Sequence, residues 1–198
     1  MPAHQQSRVS DARPYVSRGG LKLRHALDVF GVGVGGLACA DLGCSTGGFT
    51  DCLLQAGAAR VFSVDTAYGQ LAWTLRNDPR VTVLERSNAL HVEPVGMVDV
   101  VVLDLGWTPQ RLAIPAALRW LKAGGEGRII SLIKPHYEKS DREPRGTIRD
   151  GSRGGRGGGP RTDHGILPEA EAQAITDEVV AGLPALGVRV MGVTRSPI

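Results

Sequence analysis

The chain has 198 residues, of which 42% are hydrophobic, and a mean hydropathy of −0.07. These values predict one soluble globular domain with a substantial buried core, here over residues 15–198 after a flexible stretch at 1–14. No apolar run reaches the ~18 residues that a membrane span needs, and the first residues lack the apolar core of a secretory signal. We therefore expect a cytoplasmic protein.

Positive charge is concentrated in one part of the chain. The net charge is +3, whereas residues 139–161 alone carry seven Lys or Arg and three Asp or Glu, a net +4. The rest is therefore close to −1. A local excess of arginine among glycines is typical of a flexible segment that phosphate backbones attract, so we expect a Gly/Arg-rich insertion at about 139–165. The alternative is a solvated linker with no binding role.

The three cysteines, Cys39, Cys44 and Cys52, form no C-x-x-C pair. An odd number without that spacing argues against a disulfide framework and a zinc site, so we expect small buried apolar residues and no metal centre.

Strand-like and helix-like segments alternate along the chain. Period-3.6 segments predict helices, and short β-branched apolar runs predict buried strands. The predicted helices are 21–30, 49–56, 68–77, 111–121 and 168–183, and the predicted strands end at 41–42 or cover 60–66, 81–85, 98–105, 128–133 and 188–193. This alternation indicates an α/β fold with a doubly wound, mostly parallel sheet.

The most informative stretch is residues 38–51, A-C-A-D-L-G-C-S-T-G-G-F-T-D. A strand that passes through a glycine-rich turn into a helix presents backbone N–H groups to a ligand. Asp65 ends the next strand, close to the ~20-residue spacing at which an acid binds ribose hydroxyls. The turn differs from the dinucleotide pattern G-x-G-x-x-G and suits a single nucleoside, most commonly S-adenosylmethionine. The alternative is an ordinary turn of an α/β protein.

Polar residues follow successive predicted strands, at the edge where such sheets bind ligands. We expect Asp65 to bind the ribose, Asn88 the adenine, the backbone of 45–49 the methionyl tail, and Asp104 to face the sulfonium beside Lys134. The predicted cofactor-binding residues are Asp41, Gly43, Ser45, Thr46, Gly47, Gly48, Phe49, Asp65, Asn88 and Asp104.

Methyl transfer to an alcohol needs alignment and a base but no metal. A lysine becomes a base only where burial or a second cation lowers its pKa. Lys22 and Lys134 are the candidate pair, with Asp104 fixing their geometry. The alternative for Lys22 is a solvated helix lysine.

Several strings resemble the TlyA branch, also called hemolysin A-like, of the FtsJ-like ribosomal RNA methyltransferases. They are Y-V-S-R-G-G-L-K-L, D-L-G-C-S-T-G-G-F-T-D, Y-G-Q-L-A-W-T-L-R, D-P-R-V-T-V-L-E-R-S-N and I-K-P-H-Y-E. The resemblance implies a Rossmann-like fold, S-adenosylmethionine and 2′-O-methylation of ribose in ribosomal RNA. It also implies a Lys-Asp-Lys-Glu tetrad, whose first three members match Lys22, Asp104 and Lys134. RNA contacts are expected from Arg18, Arg149, Arg153 and Arg156.

The sequence departs from that family in three ways. Only 14 residues precede the first motif, so we expect the family's N-terminal S4 module to be missing, and the sequence ends at Ile198. The tetrad glutamate and the last, antiparallel strand lie beyond that point in the family. Asp104-Leu105-Gly106-Trp107 replaces the usual Asp-Leu-Ser-Phe. An alternative function is therefore a catalytically impaired RNA-binding protein that retains the cofactor pocket.

Overall fold

The computed structural model describes residues 14–140 and 167–198. Five strands make up the sheet: β1 (Ala38–Leu42), β2 (Arg60–Val64), β3 (Val81–Leu84), β4 (Val100–Leu103) and β5 (Arg128–Ser131). The helices are α1 (Gly19–Phe30), α2 (Gly48–Gln55), α3 (Trp73–Arg76), α4 (Gln110–Leu118), α5 (Pro135–Ser140) and α6 (Glu169–Gly182). A 3₁₀ turn, Leu183–Leu186, follows α6.

The sheet has the order β3-β2-β1-β4-β5, and all of its pairs are parallel. Its strands are buried on both faces, because neighbouring residues such as Cys39 and Ala40 belong to separate apolar clusters. Continuous apolar strands of this kind are expected where helices cover a parallel sheet on both sides. The predicted Rossmann-like α/β fold is thereby confirmed. The strand order reverses between β1 and β4, and the crevice above such a reversal is where these folds bind ligands.

Two predicted elements are wrong. Residues 188–193 are not a strand in the part of the chain that the structure describes. Val188 instead packs against the apolar core, and the Thr194 hydroxyl is hydrogen-bonded to the ring of His25 on α1. The helix predicted at 68–77 is reduced to Trp73–Arg76, because Gly69 takes a left-handed φ of 71° and its N–H donates to the Glu85 carboxylate.

Other features follow the sequence more closely. The three cysteines are buried and free, as predicted. Among the described residues, no helix has the length and apolar character to cross a bilayer. The predicted flexible stretch at 1–14 and the insertion at about 139–165 fall almost entirely on residues outside the described ranges.

Candidate active site

A cavity of about 480 Å³ lies beyond the carboxyl ends of β1, β4 and β5, against the start of α1. Of the residues that the sequence singled out, it is lined by Arg18, Lys22, Gly43, Ser45, Thr46, Gly48, Phe49, Asp104 and Lys134. The residues come from the start of α1, the turn between β1 and α2, the start of α2, and the segments that follow β4 and β5, so only the folded chain brings them together. The volume falls within the ~300–1,000 Å³ usual for small-ligand sites.

An ion pair joins two of the predicted catalytic residues. Lys134 Nζ lies 2.5 Å from Asp104 Oδ1 and also donates to the Leu105 carbonyl at 3.1 Å. Both side chains are about three-quarters buried, with 24% and 25% of their surface exposed. The pairing arises because β4 and β5 are neighbours, with Leu103 opposite Ser131. The segments that follow β4 and β5, which carry Asp104 and Lys134, therefore leave the sheet side by side.

Lys22 lines the same cavity from α1. The next residue, Leu23, is buried in the core, so the helix is anchored with Lys22 at the cavity. The start of α1 lies very close to the start of α2: a Cβ on Gly48 would come within 2.2 Å of Ser17 Oγ and 2.8 Å of the Gly20 nitrogen. Glycine at position 48 is thus what allows the helix that carries Lys22 to reach the turn.

The turn is shaped by left-handed backbone conformations. Gly43 and Gly47 have φ values of 93° and 101°, and Ser45 has 48°. A Cβ on Gly43 would lie 2.9 Å from the Asp104 carbonyl oxygen, so only glycine lets the segments that follow β1 and β4 come this close together. Gly47 does not line the cavity: its Cα faces Leu71 and Leu75, and it serves packing.

Asp41 does not reach the cavity either. It is fully buried, and its Oδ2 accepts hydrogen bonds from the backbone N–H and the hydroxyl of Thr50, at 2.9 and 2.7 Å. Thr50 Oγ1 in turn lies 2.8 Å from Ser63 Oγ. Thr50 is the third residue of α2, so the carboxylate caps that helix from a neighbouring strand. Burial raises the pKa of Asp41 to about 7.

The two residues predicted to hold the nucleoside are not among the residues that line the cavity. Asp65 accepts hydrogen bonds from the Ser45 N–H at 2.7 Å and the Ala67 N–H at 2.8 Å, which ties the turn to β2. Asn88 is exposed, and its Oδ1 accepts from the Leu90 N–H at 2.9 Å. Their contacts with a nucleoside remain predictions.

Sequence reasoning missed part of the site. Ser17, Gly19, Cys44 and Ile198 also line the cavity. Ser17 and Gly19 belong to the S-R-G-G string before Lys22, and that string could have been used to predict them. Sequence reasoning also missed an aromatic pair in which the Trp107 and Tyr137 rings lie 4.8 Å apart, with Trp107 69% exposed.

Arg149, Arg153 and Arg156 lie outside the described residues, and the described residues hold no cluster that could bind a metal ion.

Comparison with known proteins gives consistent matches. Residues 15–150 match the FtsJ-like methyltransferase family. The 16S/23S rRNA (cytidine-2'-O)-methyltransferase TlyA of Mycobacterium tuberculosis is 47% identical over 143 residues, which are 70% of this chain and 53% of that protein. Hemolysin A of Brachyspira hyodysenteriae is 39% identical over 142 residues, 69% of this chain and 58% of that protein.

Solved structures agree with these matches. A protein from Streptococcus thermophilus described as a candidate hemolysin superposes with a TM-score of 0.77 at 33% identity, covering 96% of this chain and 63% of that one. A similarly described protein from Lactococcus lactis gives 0.74 at 34% identity, covering 93% and 82%. The chain spans about half the length of the curated relatives it matches. The resemblance predicted from the motifs is confirmed, and the chain belongs to the TlyA branch of the FtsJ-like methyltransferase family.

Proposed function

We propose that the chain is an S-adenosylmethionine-dependent methyltransferase that methylates a ribose 2′-hydroxyl in ribosomal RNA, in the cytoplasm. The observation that carries this proposal is the meeting of Lys22, Asp104 and Lys134 at one cavity, walled by a glycine-rich turn. The printed name of the Mycobacterium tuberculosis relative supplies the class of substrate.

The site fits the cofactor in shape and in chemistry. Glycine at position 43 lets the turn pack against the Asp104 backbone at the cavity wall, and backbone N–H groups of such a turn suit a carboxylate. In this proposal the backbone of 45–49 holds the methionyl tail, Asp65 the ribose hydroxyls and Asn88 the adenine edge. When bound, the cofactor supplies the methyl group as an electrophile.

The chain's own residues would orient the acceptor and take its proton. A ribose hydroxyl is too weak an acid to ionise unaided, so a base must receive the proton as the oxygen attacks. Asp104 holds the Lys134 ammonium through its ion pair, and Lys22 lies at the same cavity. In this proposal one of the two lysines, as an uncharged amine, accepts the hydroxyl proton, and the other, as an ammonium, stabilises negative charge on the oxygen. Asp104 fixes the geometry of the pair.

The surroundings of the cavity suit RNA. Trp107 and Tyr137 stack beside the Lys134 ammonium, which lies 5.7 Å from the Tyr137 ring, and Trp107 offers an exposed face on which a nucleobase can stack. Arg18 at the cavity is suited to a backbone phosphate. The runner-up function, an RNA-binding protein that keeps the pocket without transferring a methyl group, uses the same surface.

A methylation assay separates the two functions. Purified chain with tritiated cofactor and ribosomal subunits should yield labelled RNA, and Lys134→Ala should reduce the rate at least about 100-fold. Lys122→Ala is the matched control, since Lys122 also pairs with a carboxylate, Asp99, but at the opposite edge of the sheet. A parent chain that binds cofactor yet labels no ribosomal RNA would favour the binding protein.

Calorimetric titration tests the cofactor pocket without any assumption about the RNA. S-adenosylmethionine should bind, whereas NAD should not, since the turn lacks the dinucleotide pattern. Asp65→Ala should weaken binding about 10-fold or more, because it removes the ribose partner and releases the Ser45 N–H that holds the turn. Absence of binding by the parent chain would contradict every methyltransferase function.

A further inference from the structure

Lys134 lies in a short link whose position depends on contacts elsewhere. Three residues separate the end of β5 at Ser131 from α5, and α5 itself is only six residues long. Before Lys134, the Leu132 N–H donates to the Leu103 carbonyl at 2.9 Å; after it, the Tyr137 N–H donates to the Lys134 carbonyl at 2.9 Å. A helix this short is not stable alone, so tertiary contacts must hold it.

Gln110 supplies such contacts on the β5 side. Its Nε2 donates to the Leu132 carbonyl at 3.3 Å, and its Oε1 accepts from the Ser131 hydroxyl at 2.6 Å. The Gln110 side chain is itself buried, so these bonds are shielded from water. One amide side chain therefore fixes the last strand residue and the first residue of the link.

Glu138 supplies the contact on the α5 side. It is 6% exposed, follows Lys134 by about one helical turn, and its Oε1 accepts from the Gln110 backbone N–H at 2.9 Å. Gln110 begins α4 after Pro109, which provides no side-chain cap, so the carboxylate meets the positive end of that helix. Gln110 thus bonds the chain both before and after Lys134.

We propose that Gln110 and Glu138 form a positioning clamp that sets Lys134 against Asp104, an inference that rests on the proposed function. Only five residues separate Asp104 from the start of α4, so the clamp ties the loop carrying Asp104 to the link carrying Lys134. Neither clamp residue lines the active-site cavity. Both border a second cavity of about 300 Å³, which α6 lines from the other side.

The test compares variants that break the clamp with variants that preserve it. Glu138→Ala removes the acceptor, and Gln110→Ala removes the bonds to Ser131 and Leu132. Glu138→Gln retains a carbonyl oxygen for the Gln110 N–H. Glu171→Ala is the matched control, because it removes the carboxylate that pairs with Lys139 on the same short helix without touching Gln110.

Two readouts are measured on each folded variant. The first is acetylation of individual lysines by acetic anhydride, followed by mass spectrometry, with Lys122 as the internal reference. The second is steady-state methyl transfer with a parallel titration of S-adenosylmethionine. We expect Glu138→Ala and Gln110→Ala to raise labelling of Lys134 relative to Lys122 about fivefold, because its ion pair loosens. We expect kcat to fall about 10- to 100-fold while cofactor affinity stays within about threefold of the parent.

Glu138→Gln and Glu171→Ala should behave like the parent in both readouts. Unchanged relative labelling of Lys134 in Glu138→Ala and Gln110→Ala would overturn the clamp, as would labelling that rises equally at Lys122 through general loosening. If Glu138→Ala does not fold, Gln110→Ala with Glu138→Gln still decides the matter. Labelling needs no turnover, so a parent chain without methyl transfer would refute the proposed function while the clamp was still tested.

Discussion

Asp41 lies beneath the turn that forms the cavity, with its side chain wholly excluded from solvent. Within the part of the chain that the structure describes, Oδ2 is hydrogen-bonded and Oδ1 is buried without a partner. A charge in such a place is costly, which is why burial raises the pKa of this carboxyl from 3.8 to about 7. The residue that caps α2 therefore changes its protonation close to neutral pH.

This shift predicts a pH-dependent stability. The folded state binds the Asp41 proton more tightly than the unfolded chain does, so the stabilisation is complete below about pH 4 and is lost as pH rises to about 7. The unfolding free energy of the parent, relative to Asp41→Asn, should therefore fall by a few kcal/mol over that range, at roughly 1.4 kcal/mol per pKa unit. Urea denaturation of both proteins at several pH values measures it. A difference independent of pH would contradict the raised pKa.

Single residues were predictable where strand ends set their position. Asp104 and Lys134 were placed at one edge because parallel strands deliver their carboxyl ends together, and the structure puts them in contact. Asp41 also follows from that rule, yet it turns inward, since its side-chain direction depends on the strand's pleat and on Thr50 nine residues later. No sequence pattern predicted the role of Gln110, because its hydrogen-bond partners lie more than 20 residues away along the chain.

The contact between α1 and α2 joins the lysine-bearing helix to the turn. It depends on Gly48, since a Cβ there would come within 2.2 Å of Ser17 Oγ and 2.8 Å of the Gly20 nitrogen. Gly20 in turn leaves room for the Tyr15 ring, which a Cβ on Gly20 would approach to 2.2 Å. The helices are drawn further together by the Asp51 carboxylate, which accepts the Val16 N–H at 2.8 Å. Lys22 therefore holds its place only while this approach is preserved.

Gly48→Ala should separate the two helices. Overpacking at a close contact costs about 1–3 kcal/mol, and here backbone atoms at 2.8 and 3.1 Å cannot rotate away. We expect that loss of unfolding free energy in denaturant titration, together with weaker binding of S-adenosylmethionine, because the cavity wall moves. Gly33→Ala is the control: its φ is not left-handed, and among the described residues no atom lies within 4 Å of the added methyl. Equal stability of the two variants would show that the contact is not tight.

Elements were predicted best where their hydrogen bonds are local or shared with a neighbouring strand. The five strands of the sheet and most of the long helices were foreseen within a few residues. The predicted helix at 68–77 is wrong because Glu85, which directly follows β3, accepts the Gly69 N–H and pairs with Arg76. The wrong strand at 188–193 has suitable β-branched residues, but a strand also needs a partner that shares its backbone hydrogen bonds.

Over the whole molecule, the excess of positive charge and the residues that form the cavity lie in different parts of the chain. The folded sheet brings a nearly neutral part of the chain around the cavity, whereas the excess of cations falls at 139–161, which begins at the end of α5. Electrostatic attraction of RNA is long-ranged and needs no fixed geometry. The binding role of Arg149, Arg153 and Arg156 is therefore a prediction from charge alone, with the solvated linker as its alternative.

Salt dependence decides between these alternatives. Each phosphate neutralised on single-stranded RNA contributes about 0.7 to the slope of log K against log salt, so changing these three arginines to glutamine should lower the slope by about 2. The control changes Arg60, Lys122 and Arg128 to glutamine, which removes the same charge at the opposite edge of the sheet, where β2, β4 and β5 begin. Fluorescence anisotropy with a labelled ribosomal RNA fragment at several salt concentrations measures both slopes. If the two triple variants reduce the slope equally, only net charge matters and the segment is a linker; if the first alone does, these arginines contact the phosphate backbone.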